Sequence, residues 1–425
     1  MFKIKYINFF LIGIYQFSNS IVPILIFPIL LYRYSADNYS QIVIGEGLNL
    51  VLFTFVAYSF DFSGVNNLLN KNNESNIAIS KLFSRITLTR LLIYLIVGSL
   101  ILVLIYLFGS YELTIITLGW SFVSLGYILQ SFWFLQAKEA YMSVSLMSFL
   151  SRLLMFVIVF YNFFHLKYYM VPFVIGSIHF CSSLILFFFT TSYYKISFYN
   201  LSCREFINEL RGGLYIFLGN ISTLLYKECS VLIASFVGLS SYGITTVSIA
   251  EKTIKIIQVL TRLFNQYLYP KVIREFGSFG NNFIINIKNI LITRHFYIIQ
   301  FIFIFSIISL SSFLYLILTW YHVSFVDNLV KDIYKLTSCM CIGLFFGVLN
   351  YIYGTIGMNV QGLENRFFQN LLITGVIGII LYTILGFYFK QIGIALSFAL
   401  SEVILFTLIL LRNRIKVISN FSNKI

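Results

Sequence analysis

The sequence predicts an all-α polytopic membrane protein of about twelve transmembrane helices, and three observations carry that prediction. Hydrophobic residues make up 59% of the 425 residues and charged residues only 10%, far below the quarter that a water-covered globule needs. The apolar residues gather into repeated runs long enough to cross about 30 Å of hydrocarbon, roughly 20 helical residues each. The runs are too long and too uniformly apolar for barrel strands, which alternate over about ten residues. Helices are then the remaining way to satisfy the backbone in lipid.

Apolar runs between polar breaks predict spans at 8–32, 39–66, 85–108, 112–136, 141–163, 168–194, 213–237, 241–269, 294–320, 333–358, 367–389 and 391–412. The first follows MFKIK and reads as a membrane helix, because it is too long for a signal-peptide core and has no small-x-small cleavage site. Pro23 and Pro28 allow it to bend, and Pro270 ends the eighth span. Alternate connections differ sharply in basic residues. One set, with both termini, holds eighteen Lys or Arg, and the other holds five: Arg33, Lys167, Lys331, Lys335 and Lys390. This bias predicts both termini in the cytoplasm. The net charge of +14 is thereby read as a topology signal, and no nucleic-acid partner is expected.

The longest cytoplasmic connection, around Lys195 to Gly212, divides the chain into two six-helix lobes, 1–205 and 206–425. The first and seventh spans each place a Tyr just beyond their end, Tyr39 and Tyr242. Six helices per half give both halves one orientation, as in parallel transporter repeats. The sequence has no G-x-x-x-x-G-K-[ST], no G-x-S-x-G and no H-E-x-x-H, and its loops leave no room for a soluble catalytic domain. No enzyme activity, cofactor or metal site is expected. The five cysteines lack zinc spacing and read as small hydrophobes.

Charges within the spans are costly and face a cavity or a partner. The basic set is Arg90, Arg152, Lys227, Lys252, Lys255 and Arg262, and the acidic set is Glu46, Asp61, Glu228, Glu251 and Glu402. By residue count Arg152, Lys227, Lys255 and Glu402 fall near mid-membrane, whereas Asp61, Arg90 and Arg262 fall toward the cytoplasm. In the eighth span Ser248, Glu251, Lys255, Gln258 and Arg262 share one face at spacings of three and four. Glu251 and Lys255 are placed to neutralise each other. Arg152, Lys227 and Arg262 have no acid at those spacings, so each needs either an acid on another helix or an anionic ligand. Arginine suits phosphate through its two parallel donors. Arg90 either joins that set or snorkels to the headgroups. Glu402 either binds a proton or cation or pairs with a base, and Asp61 has either a helix-end or an ion-coupling role. His179, the one histidine well inside a span, reads as a packed polar residue.

Several stretches resemble polysaccharide exporters. ILIFPILLYRYSADNYS and AYSFDFSGVNNLLNK match the first two helices, and WFLQAKEAYMSVSLMSFLSRLL the fourth and fifth. LRGGLYIFLGNISTLLYKECSVLIASFVG and SSYGITTVSIAEKTIKIIQ, running on to QYLYPKV, match the seventh and eighth. Over about residues 10–275 the chain resembles the Wzx-type O-antigen flippases of the multidrug/oligosaccharidyl-lipid/polysaccharide exporter superfamily. It departs from them in the turn SADNYS, which lacks glycines, and in the charge at Asp61. The resemblance implies a bacterial inner-membrane flippase that moves undecaprenyl-diphosphate-linked oligosaccharide repeat units to the periplasmic leaflet. It implies a central cavity in which Arg152, Lys227, Lys255 and Arg262, with Arg90, receive the sugar-diphosphate head. Glu251, Glu402 and Asp61 would serve ion coupling or pairing. The implied partners are the lipid-linked substrate, membrane lipids, and a polysaccharide polymerase with its chain-length regulator. Three other readings stay open: an ion-coupled multidrug exporter of the same superfamily, a membrane polymerase, and a lipid-linked peptidoglycan precursor flippase, a kind that usually has two more helices.

Overall fold

The computed structural model describes residues 10–11, 13–15, 18–19, 26, 29–31, 33–70, 75–161, 166–200, 202–255, 257–258, 324–358 and 363–422. The described residues between 10 and 33 are helical, as the first span requires. Then follow α1 (Ala36–Ala57), α2 (Phe60–Asn70), α3 (Asn76–Phe108), α4 (Tyr111–Gln130), α5 (Phe132–Ala137), α6 (Tyr141–Tyr161) and α7 (Val171–Tyr193). The second half has α8 (Cys203–Lys227), α9 (Ser230–Phe236), α10 (residues 241–255), α11 (Ser324–Asn350), a π-helical stretch (Tyr351–Met358) and α12 (Glu364–Ser422). Among the described residues there is no strand. Among the described residues seven helices are long and apolar enough to cross a membrane, eight if the bent pair α8–α9 is one span. The chain is a multi-pass helical membrane protein. The predicted ninth span, 294–320, lies outside the described residues.

Several predicted boundaries move, each for a local reason. The charged stretch CREFINELRGG reads as loop, yet it forms the first turns of α8. Ser202 and Glu205 close a capping box there: the Ser202 amide donates to Glu205 Oε2 at 3.0 Å, and the Glu205 amide donates to Ser202 Oγ at 3.3 Å. Likewise α3 starts at Asn76, nine residues ahead of the predicted Arg85. Arg85 clamps the two polar helix ends together, with Nη1 on Glu209 at 3.0 Å and Nη2 on Glu205 at 3.1 Å.

Spans predicted as single helices are also broken. The second breaks at Tyr58, where φ is 48°, and the fourth at Ser131, where φ is 51°. The seventh bends by 61° between Lys227 and Ser230. The last helix turns back at Lys390 (φ 52°), between the two spans expected at 367–389 and 391–412. A Cβ on Gly393 would fall 1.9 Å from the Leu385 carbonyl. Only glycine lets the returning arm approach so closely.

The chain forms two compact units, Met1–Leu224 and Leu225–Ile425. In the first, α4 and α7 pack backbone against backbone: a Cβ on Gly176 would meet the Gly119 carbonyl at 2.3 Å. Tyr58, Phe60, Phe83, Trp133 and Phe134 build an aromatic core around the α1–α2 break. By contrast, Leu95, Ile96, Leu100, Val103 and Leu107 of α3 are exposed, as a lipid-facing helix requires. In the second unit Tyr226, Tyr353, Met358, Leu405 and Ile409 form the core beside the π-helical stretch.

Candidate functional site

The sequence-nominated charges fall into discrete arrangements, and two tight turns position the first. The break after Ala57 sets Asp61 in the first turn of α2, where a carboxylate complements the helix dipole. Arg90 of α3 is 1% exposed and its Nη2 reaches Asp61 Oδ1 at 2.9 Å. Its guanidinium lies over the rings of Phe60 and Tyr127, 5.5 and 5.1 Å from their centroids. Tyr127 donates its hydroxyl hydrogen to the other Asp61 oxygen. Arg90 is therefore an interior ion-pair partner, and of the two readings left open for it the snorkelling one does not fit. A carboxylate, a phenol and two ring faces hold it better than a path out through packed side chains.

Lys227 ends α8 at the bend. Its Nζ stands 2.7 Å from Glu402 Oε1 and 5.4 Å above the Tyr226 ring. Glu402 is 1% exposed, and Asn350 donates to its Oε2 at 2.7 Å and to its main-chain oxygen at 2.9 Å. The bend has a physical cause. The Tyr382 hydroxyl donates to the Tyr226 carbonyl at 3.0 Å, competing for an acceptor at the helix end. Just past the break, the Ser230 hydroxyl donates to Glu251. Glu251 also pairs with Lys255 at 2.6 Å, the i,i+4 contact expected from spacing. Arg262, on the same face of the eighth span, lies outside the described residues.

Arg152 differs from these. On α6 it follows Ser145 and Ser148 along one face, and its Nε donates to Asn19 Oδ1 at 3.1 Å. Among the described residues no carboxylate lies within ion-pairing distance of it. Its surroundings are neutral hydrogen-bonding groups. Tyr15 lies in the same neighbourhood, where the charges of Arg152 and Asp61 both act on it. Gln130 reaches Ser148 Oγ at 3.4 Å. Tyr15 is held by stacking on Phe132, centroids 4.6 Å apart and planes 5° from parallel. Phe132 follows the left-handed Ser131, so the α4–α5 break presents Gln130 and Phe132 to the first span.

Sequence reasoning singled out the charges and missed the neutral partners: Asn19, Tyr127, Gln130, Asn350 and Ser230. A signal for some was present. Asn19, Gln130 and Asn350 are amides within otherwise apolar runs, where a polar group needs a partner. Among the described residues there is also no group of three or more His, Cys, Asp or Glu that could hold a metal.

No family model matches the sequence. The chain is 24% identical over 416 residues to "Putative O-antigen transporter" of Escherichia coli (strain K12), with 95% of each protein covered. Its fold matches the lipid II flippase MurJ in an inward closed conformation, with a TM-score of 0.69 and 18% identity over 97% of this chain and 86% of that one. It also matches a mutant of the Vibrio cholerae MATE transporter VcmN, with a TM-score of 0.55 and 12% identity over 98% and 97% of the two chains. The protein is thus a multi-pass helical membrane protein with the fold of the MurJ and MATE transporters, similar in sequence over nearly its whole length to an O-antigen transporter.

Proposed function

We propose that this protein is an inner-membrane flippase for undecaprenyl-diphosphate-linked O-antigen repeat units, and that Arg152 is the principal receptor for the diphosphate. The observation that carries the reading is the charge balance within the spans. Three of the five acids within the spans, Asp61, Glu251 and Glu402, each have a basic partner, at 2.9, 2.6 and 2.7 Å. Arg152 donates instead to an amide oxygen, Asn19 Oδ1, at 3.1 Å. An uncompensated guanidinium in a low-dielectric interior is expensive. An anionic headgroup that must leave water is the ligand which removes that cost while receiving bidentate hydrogen bonds.

The similarity to an O-antigen transporter and the fold of a lipid II flippase support a lipid-linked substrate. Lys227 and Lys255, 27% and 37% exposed, add positive potential while their carboxylates keep them paired in the empty state. Arg90 and Arg262 are the further basic groups assigned to the substrate head by sequence. Both termini are cytoplasmic, the halves 1–205 and 206–425 alternate access by rocking, and delivered units pass to a polymerase and its chain-length regulator. An exporter of cationic drugs would use interior acids free to receive the drug, and Asp61, Glu251 and Glu402 are each engaged by a base.

The test is lipopolysaccharide banding in a strain lacking this chain, complemented with wild type or with well-expressed Arg152→Ala or Arg262→Ala. Ladders return with wild type and fail with Arg152→Ala. Ladders unaffected by the deletion itself would overturn the assignment.

A further inference from the structure

Arg152 is held without being neutralised, and its holder comes from the first span. The Ser145 hydroxyl donates to the Leu11 carbonyl at 2.7 Å, and Arg152 Nε donates to Asn19 Oδ1 at 3.1 Å. The two contacts are eight residues apart along the first span and seven along α6, about 12 and 10.5 Å at the rise of an α-helix. The separations match closely, so the two bonds fix the register of the first span on α6. Tyr15 lies between them in sequence and stacks on Phe132, centroids 4.6 Å apart. Leu11, Tyr15 and Asn19 recur every four residues and share one helical face, as Ser145, Ser148 and Arg152 do at spacings of three and four.

The contact uses the guanidinium in one particular way. Arg152 engages Asn19 through Nε, and among the described residues that is its one hydrogen bond. Nη1 and Nη2, the pair that can grip an anion in two places, have no partner there, and neither is sealed in as Arg90 Nε is. Arg152 is itself only partly buried. An amide oxygen at this place accepts the bond and adds no charge. A carboxylate would accept the same bond and supply a counter-ion, as Asp61, Glu251 and Glu402 do for Arg90, Lys255 and Lys227. The choice of amide over acid therefore decides whether the cation stays available.

We infer that Asn19 is a positioning residue of the anion receptor: its neutral amide fixes the Arg152 guanidinium at Nε and leaves the charge and the Nη1–Nη2 edge for a phosphate of the lipid head. This rests on the proposed reading that Arg152 receives a diphosphate. The isosteric change Asn19→Asp isolates the point, since it keeps the accepting oxygen and the register and adds only a charge. It relieves an uncompensated cation, so the protein keeps or gains stability, while the receptor is filled by an anion of its own.

The experiment uses the full chain in phosphatidylcholine nanodiscs, with farnesyl diphosphate as the anionic probe and farnesol as the uncharged one. Affinity for each, and thermal melting without ligand, are measured for wild type, Arg152→Ala, Asn19→Asp and Asn19→Ala. Asn19→Asp is expected to bind farnesyl diphosphate about tenfold more weakly, the loss of one charge-assisted contact, with farnesol binding unchanged and melting at or above wild type. Asn19→Ala frees the guanidinium and is expected to bind the diphosphate about three- to tenfold more weakly. A residue that served packing alone would lower melting and the binding of both probes together. Unchanged diphosphate affinity in Arg152→Ala overturns the diphosphate reading itself. If Arg152→Ala weakens diphosphate binding while Asn19→Asp binds as wild type does, or loses both probes alike, only the role of Asn19 is overturned. Should Asn19→Asp fail to fold, Asn19→Ala decides, and wild-type diphosphate affinity in that variant overturns the proposal.

Discussion

The Nζ of Lys227 lies 2.7 Å from Oε1 of Glu402, and Asn350 donates to the other carboxylate oxygen at 2.7 Å. The pair is asymmetric, since the lysine is 27% exposed and the carboxylate 1%. Lys227→Met should therefore cost about 3–5 kcal/mol, because it strands a buried carboxylate. Glu402→Gln should cost less, since the lysine it leaves behind reaches partial solvation and Asn350 keeps an amide partner. The double variant should be more stable than the sum of the two losses indicates. Thermal melting of the purified proteins checks all three.

Asp61 and Arg90 reverse that asymmetry, with the arginine at 1% exposure and the aspartate at 34%. Here the loss of the acid is the severe change. Asp61→Asn should destabilise by about 3–5 kcal/mol because Arg90 is left buried without a counter-charge. Tyr127→Phe removes one hydrogen bond to a charged acceptor and should cost about 1.5–3 kcal/mol. Chemical denaturation in detergent, with both variants side by side, tests the order.

Arg152 should behave in the opposite way. Arg152→Gln removes a cation that no carboxylate balances among the described residues, so stability should be unchanged or rise by about 1 kcal/mol. O-antigen ladders should nevertheless be lost. Arg152→Lys keeps the charge without the two-pronged donor geometry, and ladders should return only in part. A large drop in melting temperature for Arg152→Gln would mark the residue as structural.

The crossing of α4 and α7 makes a packing prediction. At Gly176 an added Cβ meets main chain, the Gly119 carbonyl, at 2.3 Å, so the helices must separate. Gly176→Ala should cost about 1–3 kcal/mol. At Gly98 of α3 the nearest atoms are side-chain carbons of Leu52 at 3.7 Å. There alanine should be neutral or stabilise by up to about 1 kcal/mol through helix propensity. Melting temperatures of the two variants should move in opposite directions or differ clearly in size.

Much of the architecture was legible without a structure, and the misses have physical causes. Helix breaks at Tyr58, Ser131 and Lys227 carry neither proline nor glycine, so the local residues offered no warning. At two of them tertiary partners take over the freed backbone groups: the Asn220 amide on the Tyr58 carbonyl at 2.6 Å, and the Tyr382 hydroxyl on the Tyr226 carbonyl at 3.0 Å. The early starts of α3 and α8 were hidden for another reason. A hydropathy reading ends a span at its first charges, while a helix continues past them when capped, as Ser202 and Glu205 cap α8.

The sequence by itself determined the solvent, the all-helical class and which residues are too costly to leave in lipid, because transfer from water to hydrocarbon depends on what a residue is. It also determined the Glu251–Lys255 pair, since four residues on a helix are neighbours in any fold. Only the tertiary structure decided that Glu402 answers Lys227, that Asp61 and Tyr127 answer Arg90, and that Arg152 meets Asn19 without a carboxylate. Those choices depend on which helix faces which, and that is set by close packing such as the Gly119–Gly176 contact, which no count of residue types contains.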